Sequence, residues 1–307
     1  MSSAIPTRPF AGPVLDTYGS WSVAVDQIGR TLHGQSPGAL RLQGWPETQA
    51  THVEDARRRW PGVLLGLAPG VDPIAKRWRS HRSRDRAVAE LVAIADATVG
   101  LGVGHLAFDP EAAWKALDQS TRAELSTIAS TALDQIAAKH AGLRLYVTSY
   151  GWPVRVDGVG GHGDYPWRGW LPGNGVTYIG QTYDRRRGQL IEGERVAVRS
   201  YLEAVRIGLM EHTTPRLPEV QTHHNDPHEL VQVATSADAC FLWASGTADL
   251  FDADGATAWR RMVTLHRLGF WGRTREYQAQ RGLKVDGDVG PQTAAALDAD
   301  ARTLGLA

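Results

Sequence analysis

The chain has 307 residues, in which 33 Lys and Arg balance 33 Asp and Glu, 42% of residues are hydrophobic and only one is cysteine. That length holds one large domain or two smaller ones. Zero net charge gives no electrostatic footing on nucleic acid or an anionic membrane, and a single cysteine excludes an internal disulfide. No apolar run approaches the roughly 20 residues that span a bilayer, and the opening "MSSAIPTRPFAGPVLD" lacks the basic and apolar regions of a secretory leader. Synthesis in the cytoplasm without a signal peptide is expected, as is a monomer with no membrane insertion.

The first strand-like run is "GPVLDTY" (12–18), which carries Asp16, followed by "GALRLQGW" (38–45) and "GVLLGLAP" (62–69). "SRDRAVAELVAIADATVG" (83–100) reads as a helix leading into the fourth run, "VGHLAFD" (103–109). In "STRAELSTIASTALDQIAAKH" (120–140), Leu125, Ile128, Ala129, Ala132, Leu133 and Ile136 fall on one helical face. A fifth run, "LRLYVTSY" (143–150), opens onto a long Gly-, Pro- and Trp-rich loop over 153–174. Then come "GVTYIGQTY" (175–183), a helix over 192–209, "EVQTHHN" (219–225) and "ACFLWAS" (239–245). Eight strands alternating with helices from about residue 12 to about 255 predict an α/β fold, a (β/α)₈ TIM-type barrel. The alternative, an open doubly wound sheet, has no matching Gly-rich phosphate loop.

Composition shifts after residue 256, so the barrel is assigned to 1–256 and a small helical module to 257–307. In the second part, "REYQAQRGLKVDGDVGPQTAAALDADA" reads as helix, turn and a helix opened by Gly290–Pro291.

Tryptophan is the unusual residue: there are 11, several beside Gly or Pro. Any one Trp is by default core. A group on loops reads as flat surface for a ring-shaped ligand, which makes Trp152, Trp167, Trp170 and Trp243 candidate substrate contacts.

The stretch "GHLAFDPEAAWK" (104–115) concentrates the chemistry. Strand alternation puts Asp109 and Glu111 on the face of His105 and Ala107, with Leu106 and Phe108 turned toward the helices. Pro110 holds Asp109 extended and ends sheet pairing. Carboxylates two strand residues apart, about 6.6 Å, repel by roughly 2.5 kcal/mol at an effective dielectric of about 20. One should ionise while the other holds its proton, the division of labour that glycoside hydrolysis requires. The competing reading makes Asp109 the N-cap of a helix with Pro110 in its first turn.

These residues bring known families into view. "LDTYGSW" and "LAFDPE" resemble family-25 lysozymes, barrel muramidases with an acid on the first strand, matching Asp16, and D-x-E on the fourth, matching Asp109 and Glu111. "YIGQTYD" is similar to their later aromatic–Gln–Tyr strand. "LAFDPE", "QTYD" and "FLWAS" also resemble family-18 chitinases, although "GVGH" stands where those have a further Asp. "YQAQRGLKVDGDVGPQTAAAL" (277–297) is similar to the peptidoglycan-binding domain 1 family through Tyr277, Gln278, Gly282, Leu283, Asp286, Gly287, Gly290, Pro291, Thr293 and Leu297.

Together the resemblances imply a peptidoglycan glycan hydrolase of the phage-lysin type, acting at the bacterial wall after release and needing no cofactor or metal. Glu111 would be the general acid. Asp109 would orient and stabilise the substrate's 2-acetamido group. Asp16 would be a second anionic stabiliser, or the base or nucleophile, and Tyr183 would hydrogen-bond near the reacting sugar. Gln181, His223 and Asn225 would touch substrate beside the tryptophans.

Two other readings compete. "HHNDPHE" (223–229) offers His223, His224, Asp226, His228 and Glu229 for the zinc of a wall amidase. Adjacent strand residues point to opposite faces, however, and Asp226–Pro227 reads as a helix start. A non-catalytic wall-binding barrel is the other class. The basic runs "RSHRSRDR" (79–86) and "DRRRG" (184–188) read as solvated faces.

Overall fold

The computed structural model describes residues 9–17, 19–172, 175–182, 189–210, 216–223, 225–243 and 249–307. Eight parallel strands close into a barrel in sequence order. In chain order the first half runs β1 (Gly12–Thr17), α1 (Trp21–Thr31), β2 (Ala39–Gln43), α2 (Pro46–Arg59), β3 (Leu64–Ala68), α3 (Asp72–His81), α4 (Arg84–Gly100), β4 (His105–Phe108), a 3₁₀ turn over Ala112–Trp114, and α5 (Gln119–Lys139). The second half runs β5 (Arg144–Tyr150), α6 (Trp167–Trp170), β6 (Val176–Gln181), α7 (Leu190–Arg206), β7 (Arg216–Gln221), α8 (Pro227–Ala234), β8 (Ala239–Trp243), α9 (Ala253–Arg267), α10 (Thr274–Gln280) and α11 (Pro291–Thr303). The predicted fold class is the observed one. The seventh strand starts and ends earlier than its sequence pattern suggested, so the histidine-rich stretch lies beyond it. No helix of the described residues is long and apolar enough to cross a membrane.

Strand alternation sorts two cores. Leu15, Leu40, Leu42, Leu67, Leu106, Phe108, Val147 and Leu242 face outward and pack under the helices. Val14, Ala39, Ala68, Ala107, Tyr146, Ile179, Leu217, Ala239 and Phe241 face inward with Phe10, filling the closed end of the barrel. Phe10, from ahead of β1, stacks on His105 with centroids 4.0 Å apart. A Cβ on Gly66 would lie 2.9 Å from the Phe10 ring, so glycine on β3 makes room for this plug. Burial, then the Arg144 charge, lowers the His105 midpoint to about 4, leaving a neutral imidazole in that packing.

A boundary at residue 257 falls inside α9. That helix packs on β1 and α8 as the last outer helix of the barrel, and it also packs on α11. The C-terminal pair is centred on Gln278, which is 1% exposed. Its amide donates to Asp286 Oδ1 (2.9 Å), the Asp288 carbonyl (2.9 Å) and Thr293 Oγ1 (3.1 Å), and accepts from Gly287 N (2.8 Å). Arg261 on α9 grips Asp298 on α11 through two bonds of 2.9 and 2.8 Å. On α8, Gln232 donates to the Gly287 carbonyl (3.3 Å) and accepts from Val289 N (2.8 Å).

Candidate active site at the barrel mouth

Two residues beyond the inward-facing Val14, Ala39, Tyr146 and Leu217 stand Asp16, Arg41, Thr148 and Glu219. The pleat therefore aims all four into the barrel, one layer above its apolar floor. Arg41 is fully buried, with its guanidinium 4.6 Å above the Phe241 ring. Its Nε donates to Asp16 Oδ1 at 2.6 Å, Nη2 donates to Asp16 Oδ2, Nη2 lies 3.0 Å from Glu219 Oε1, and Nη1 donates to Thr148 Oγ1. Burial opposes the charge on Arg41, but the neighbouring Asp16 and Glu219 outweigh it and hold the side chain protonated.

Two carboxyls share that one cation. Burial is the largest influence on both and pushes both upward, against the pull of Arg41. Glu219 moves to about 7, with Asp16 adding to the rise. Its Oε1 rests on Arg41, while its buried Oε2 has no hydrogen-bond partner among the described residues.

The D-x-E acids lie above this layer. The Asp109 backbone is tied to the loop after β3, donating to the Pro69 carbonyl and accepting from Val71 N, each at 3.2 Å. Asp109 does not cap the turn that follows. Asp72, at the start of α3, does so instead, accepting from Glu111 N (2.8 Å) and Ala113 N (3.0 Å). The Asp109 carboxyl is left free of capping and accepts a long bond of 3.4 Å from Gln181 Nε2.

Burial raises the Asp109 carboxyl well above its ordinary range, aided by the charges of Glu111, Glu219 and Asp72 and opposed by Arg41. Glu111 stands exposed at the rim. Its carboxyl is also raised, first by partial desolvation and then by Asp72, with Gln181 and Lys115 pulling the other way. Both acids thus converge on the Gln181 amide. Both carboxyls are shifted toward the protonated form, Asp109 chiefly by burial and Glu111 by partial burial and the charge of Asp72.

Tyr150, at the inward-facing end of β5, completes this wall. His162 stacks on it at 4.0 Å, and Lys115 Nζ lies 4.0 Å from its ring and 2.8 Å from His162 Nδ1. Burial, then the charges of Glu111 and Asp72, push its phenol upward, so it is a neutral hydrogen-bonding group facing the acids.

The structure brings Asp109, Glu111 and Gln181 together. Trp243, two residues beyond the inward Phe241, is partly exposed at the same end of the barrel. Asp16 sits too deep for a nucleophile: it is fully buried and both its oxygens are on Arg41. His223 is 6% exposed and meets Thr222 Oγ1 at 3.1 Å, and Asn225 donates to the Gln221 carbonyl at 2.7 Å, closing the loop that follows β7. Tyr183 lies outside the described residues.

Three of the tryptophans depart from expectation. Trp167 packs on Tyr165 (4.5 Å), and Trp170 on Trp114 (4.6 Å) and Phe108 (5.6 Å), with neither ring exposed beyond 1%. Gly169 between them sits against the α5 backbone, where a Cβ would lie 2.3 Å from the Ser126 carbonyl oxygen. The glycines of this loop press its aromatics inward, which removes Trp167 and Trp170 as sugar platforms. Trp152, 6% exposed, packs on Val196 and Ala197 of α7.

The helix reading of "NDPHE" holds. Asp226 caps α8 through His228 N (2.7 Å) and Glu229 N (3.3 Å), and Glu229 accepts from Leu190 N (3.0 Å). Among the described residues no three His, Cys, Asp or Glu side chains gather as metal ligands.

Sequence reasoning missed Arg41, Glu219, Tyr150 and Asp72. For Arg41 a signal existed: a lone charge between Leu40 and Leu42, on the inward face of a buried strand.

No protein-family model and no curated protein matches the chain. Solved structures with the same fold do. A chitinase from Chromobacterium violaceum superposes with a TM-score of 0.54 at 12% identity, covering 82% of this chain and 99% of the other. A family GH18 chitinase from Cycas revoluta, in complex with allosamidin, gives 0.52 at 13% identity, covering 81% and 98%. A Bacteroidetes-affiliated GH5 cellulase gives 0.50 at 12% identity, covering 82% and 90%. At such identities the likeness is one of fold.

Proposed function

We propose that the chain is a glycan hydrolase that cuts the glycan strand of bacterial peptidoglycan, in the manner of a phage-type lysin acting on the wall after release. The observation that carries this reading is the convergence of Asp109 and Glu111 on Gln181, above a buried Arg41, with both carboxyls raised. Fold-level support comes from two neighbours named as chitinases; chitin and wall glycan share a 2-acetamido sugar. Fold does not fix function, so the argument rests on the site. The likeness of 277–297 to wall-binding modules supports the choice of polymer.

In this mechanism Glu111, the acid open at the rim, gives its proton to the leaving glycosidic oxygen. The carbonyl oxygen of the 2-acetamido group closes on the anomeric carbon as the glycosidic bond breaks. Asp109 accepts the acetamido N–H on its unprotonated oxygen. As positive charge develops on the sugar, the Asp109 proton passes to the Glu111 carboxylate, leaving an anion beside that charge. Glu111 then returns that proton to Asp109 and, again a carboxylate, takes a proton from the water whose oxygen adds to the anomeric carbon and opens the ring, so both carboxyls end protonated as they began. Tyr150 supplies a neutral hydrogen bond at the same wall. Asp16 serves through Arg41 without touching sugar. The protein works as a monomer and needs no cofactor.

The test is digestion of purified sacculi with mass spectrometry of the new reducing ends, comparing the native chain with Glu111→Gln. Release that falls by at least about 100-fold in the variant supports the reading; equal release removes it. One observation favours a second reading, a barrel that binds wall without cutting it: Ala107 on β4 and Gly104 just before it stand where a longer acid series would continue. Binding to sacculi with no reducing ends from the native chain would establish that alternative.

A further inference from the structure

We propose that Glu219 is a positioning residue that governs the proton on Asp109: together with Asp16 and Arg41 it forms a charge switch beneath the mouth. The proposal deepens the hydrolase reading and takes its catalytic consequence from it, but its physical core concerns three carboxyls and one guanidinium.

The geometry is one cation shared by two buried acids. Arg41 spends Nε and Nη2 on Asp16, Nη1 on Thr148, and reaches Glu219 only through the shared Nη2. The second oxygen of Glu219 is buried and, among the described residues, has no hydrogen-bond partner. A carboxylate left in that state is strongly disfavoured, whereas a carboxylic acid tolerates it far better. With Glu219 protonated, Arg41 and Asp16 cancel and the layer is neutral. With Glu219 ionised, the layer carries a net negative charge inside the barrel.

That charge acts on the mouth directly above. Glu219 pairs in register with Gln181, whose amide reaches Asp109. The groups that face Glu219 are Asp16 from β1, Arg41 from β2 and Asp109 after β4, while Tyr178 and Cys240 lie on the outer, helix-facing side of β6 and β8. The last two are pushed upward by burial and stay neutral. Arg216 on β7 is engaged by Glu194 of α7, so among the described residues Arg41 is the cation paired with Glu219. Glu219 therefore acts on Asp109 through space. Ionised, it raises the cost of ionising Asp109 and cancels the help Arg41 would give. Because Glu219 itself loses its proton near neutral pH, the layer turns negative as the solution becomes alkaline, so Asp109 keeps its proton when it would otherwise lose it.

The experiment follows the carboxyl carbons of carbon-13-labelled Asp and Glu by NMR across pH, with Asp109 assigned by its loss in Asp109→Asn. In the native chain, Asp109 and Glu219 should show the same two inflections, as coupled groups do. In Glu219→Gln the Asp109 midpoint should fall by about one pH unit or more, a tenfold change in its proton affinity, while Glu219→Asp restores most of it. Separate, independent inflections in the native chain overturn the proposal, whether or not a variant folds. So does an unmoved midpoint in Glu219→Gln, or an equal fall in Glu219→Asp. The alkaline limb of wall cleavage should move down with the midpoint in Glu219→Gln. A native chain that titrates as described but releases no reducing ends would overturn the hydrolase reading alone.

Discussion

Arg41 and Asp16 meet fork to fork inside the barrel, Nε to Oδ1 at 2.6 Å and Nη2 to Oδ2, with both side chains fully buried. Replacing Arg41 with Met leaves Asp16 and Glu219 without their cation. The expected cost is about 3–5 kcal/mol, because an uncompensated buried charge remains. Urea unfolding of Arg41→Met should show it, and adding Asp16→Asn and Glu219→Gln should recover most of the loss. A single variant as stable as the native chain would show that the pair is not held as described.

Asp109→Asn should separate chemistry from folding. Wall cleavage is expected to drop by about 100-fold or more, with an unchanged circular dichroism spectrum. Retained cleavage would take Asp109 out of the mechanism.

The same substitution carries a pH signature. The Asp109 midpoint in the folded chain lies above that of an unfolded Asp, about 3.9. The folded state therefore binds this proton more tightly. Its stabilising contribution is complete below about pH 3.9 and is lost as pH rises toward the folded midpoint. Asp109→Asn should gain stability over the native chain as pH rises from about 4 through neutrality. Urea midpoints across that range check the trend, and a pH-independent difference would refute it.

Tryptophans divide by burial. Trp170→Ala should cost about 3–5 kcal/mol through the cavity left against Trp114 and Phe108. Trp243→Ala, at a partly exposed position on the mouth, should weaken binding to sacculi with a smaller change in melting temperature. Calorimetry and pull-down with sacculi distinguish the two.

Gln278→Ala removes four bonds around one amide. A loss of about 1–3 kcal/mol is expected, local to α10 and α11. Hydrogen exchange should rise there and stay unchanged in β1–β8.

The barrel was legible because strand and helix periods alternate along the chain, and the placement of Asp109 followed from the same alternation: His105 and Ala107 point inward, Leu106 and Phe108 outward. Arg41 was missed for a physical reason. Its partners lie 25 and 178 positions away, at Asp16 and Glu219, and only barrel closure brings them together. The loop tryptophans misled because Gly169 looks in sequence like the mark of an open loop, whereas here it is the condition for close packing on α5. Asp72 in "VDPIAKRW" resembles a cap for its own helix; that it caps the turn after β4 depends on tertiary structure.

Helix α9 belongs to two neighbourhoods at once, lying on β1 and α8 and gripping α11 through Arg261, while Gln232 of α8 fastens the turn before α11. No free linker separates the C-terminal helices from the barrel. A polymer held by those helices would reach the opening at one fixed offset, as on a ruler, where a tethered anchor would let the cutting point wander.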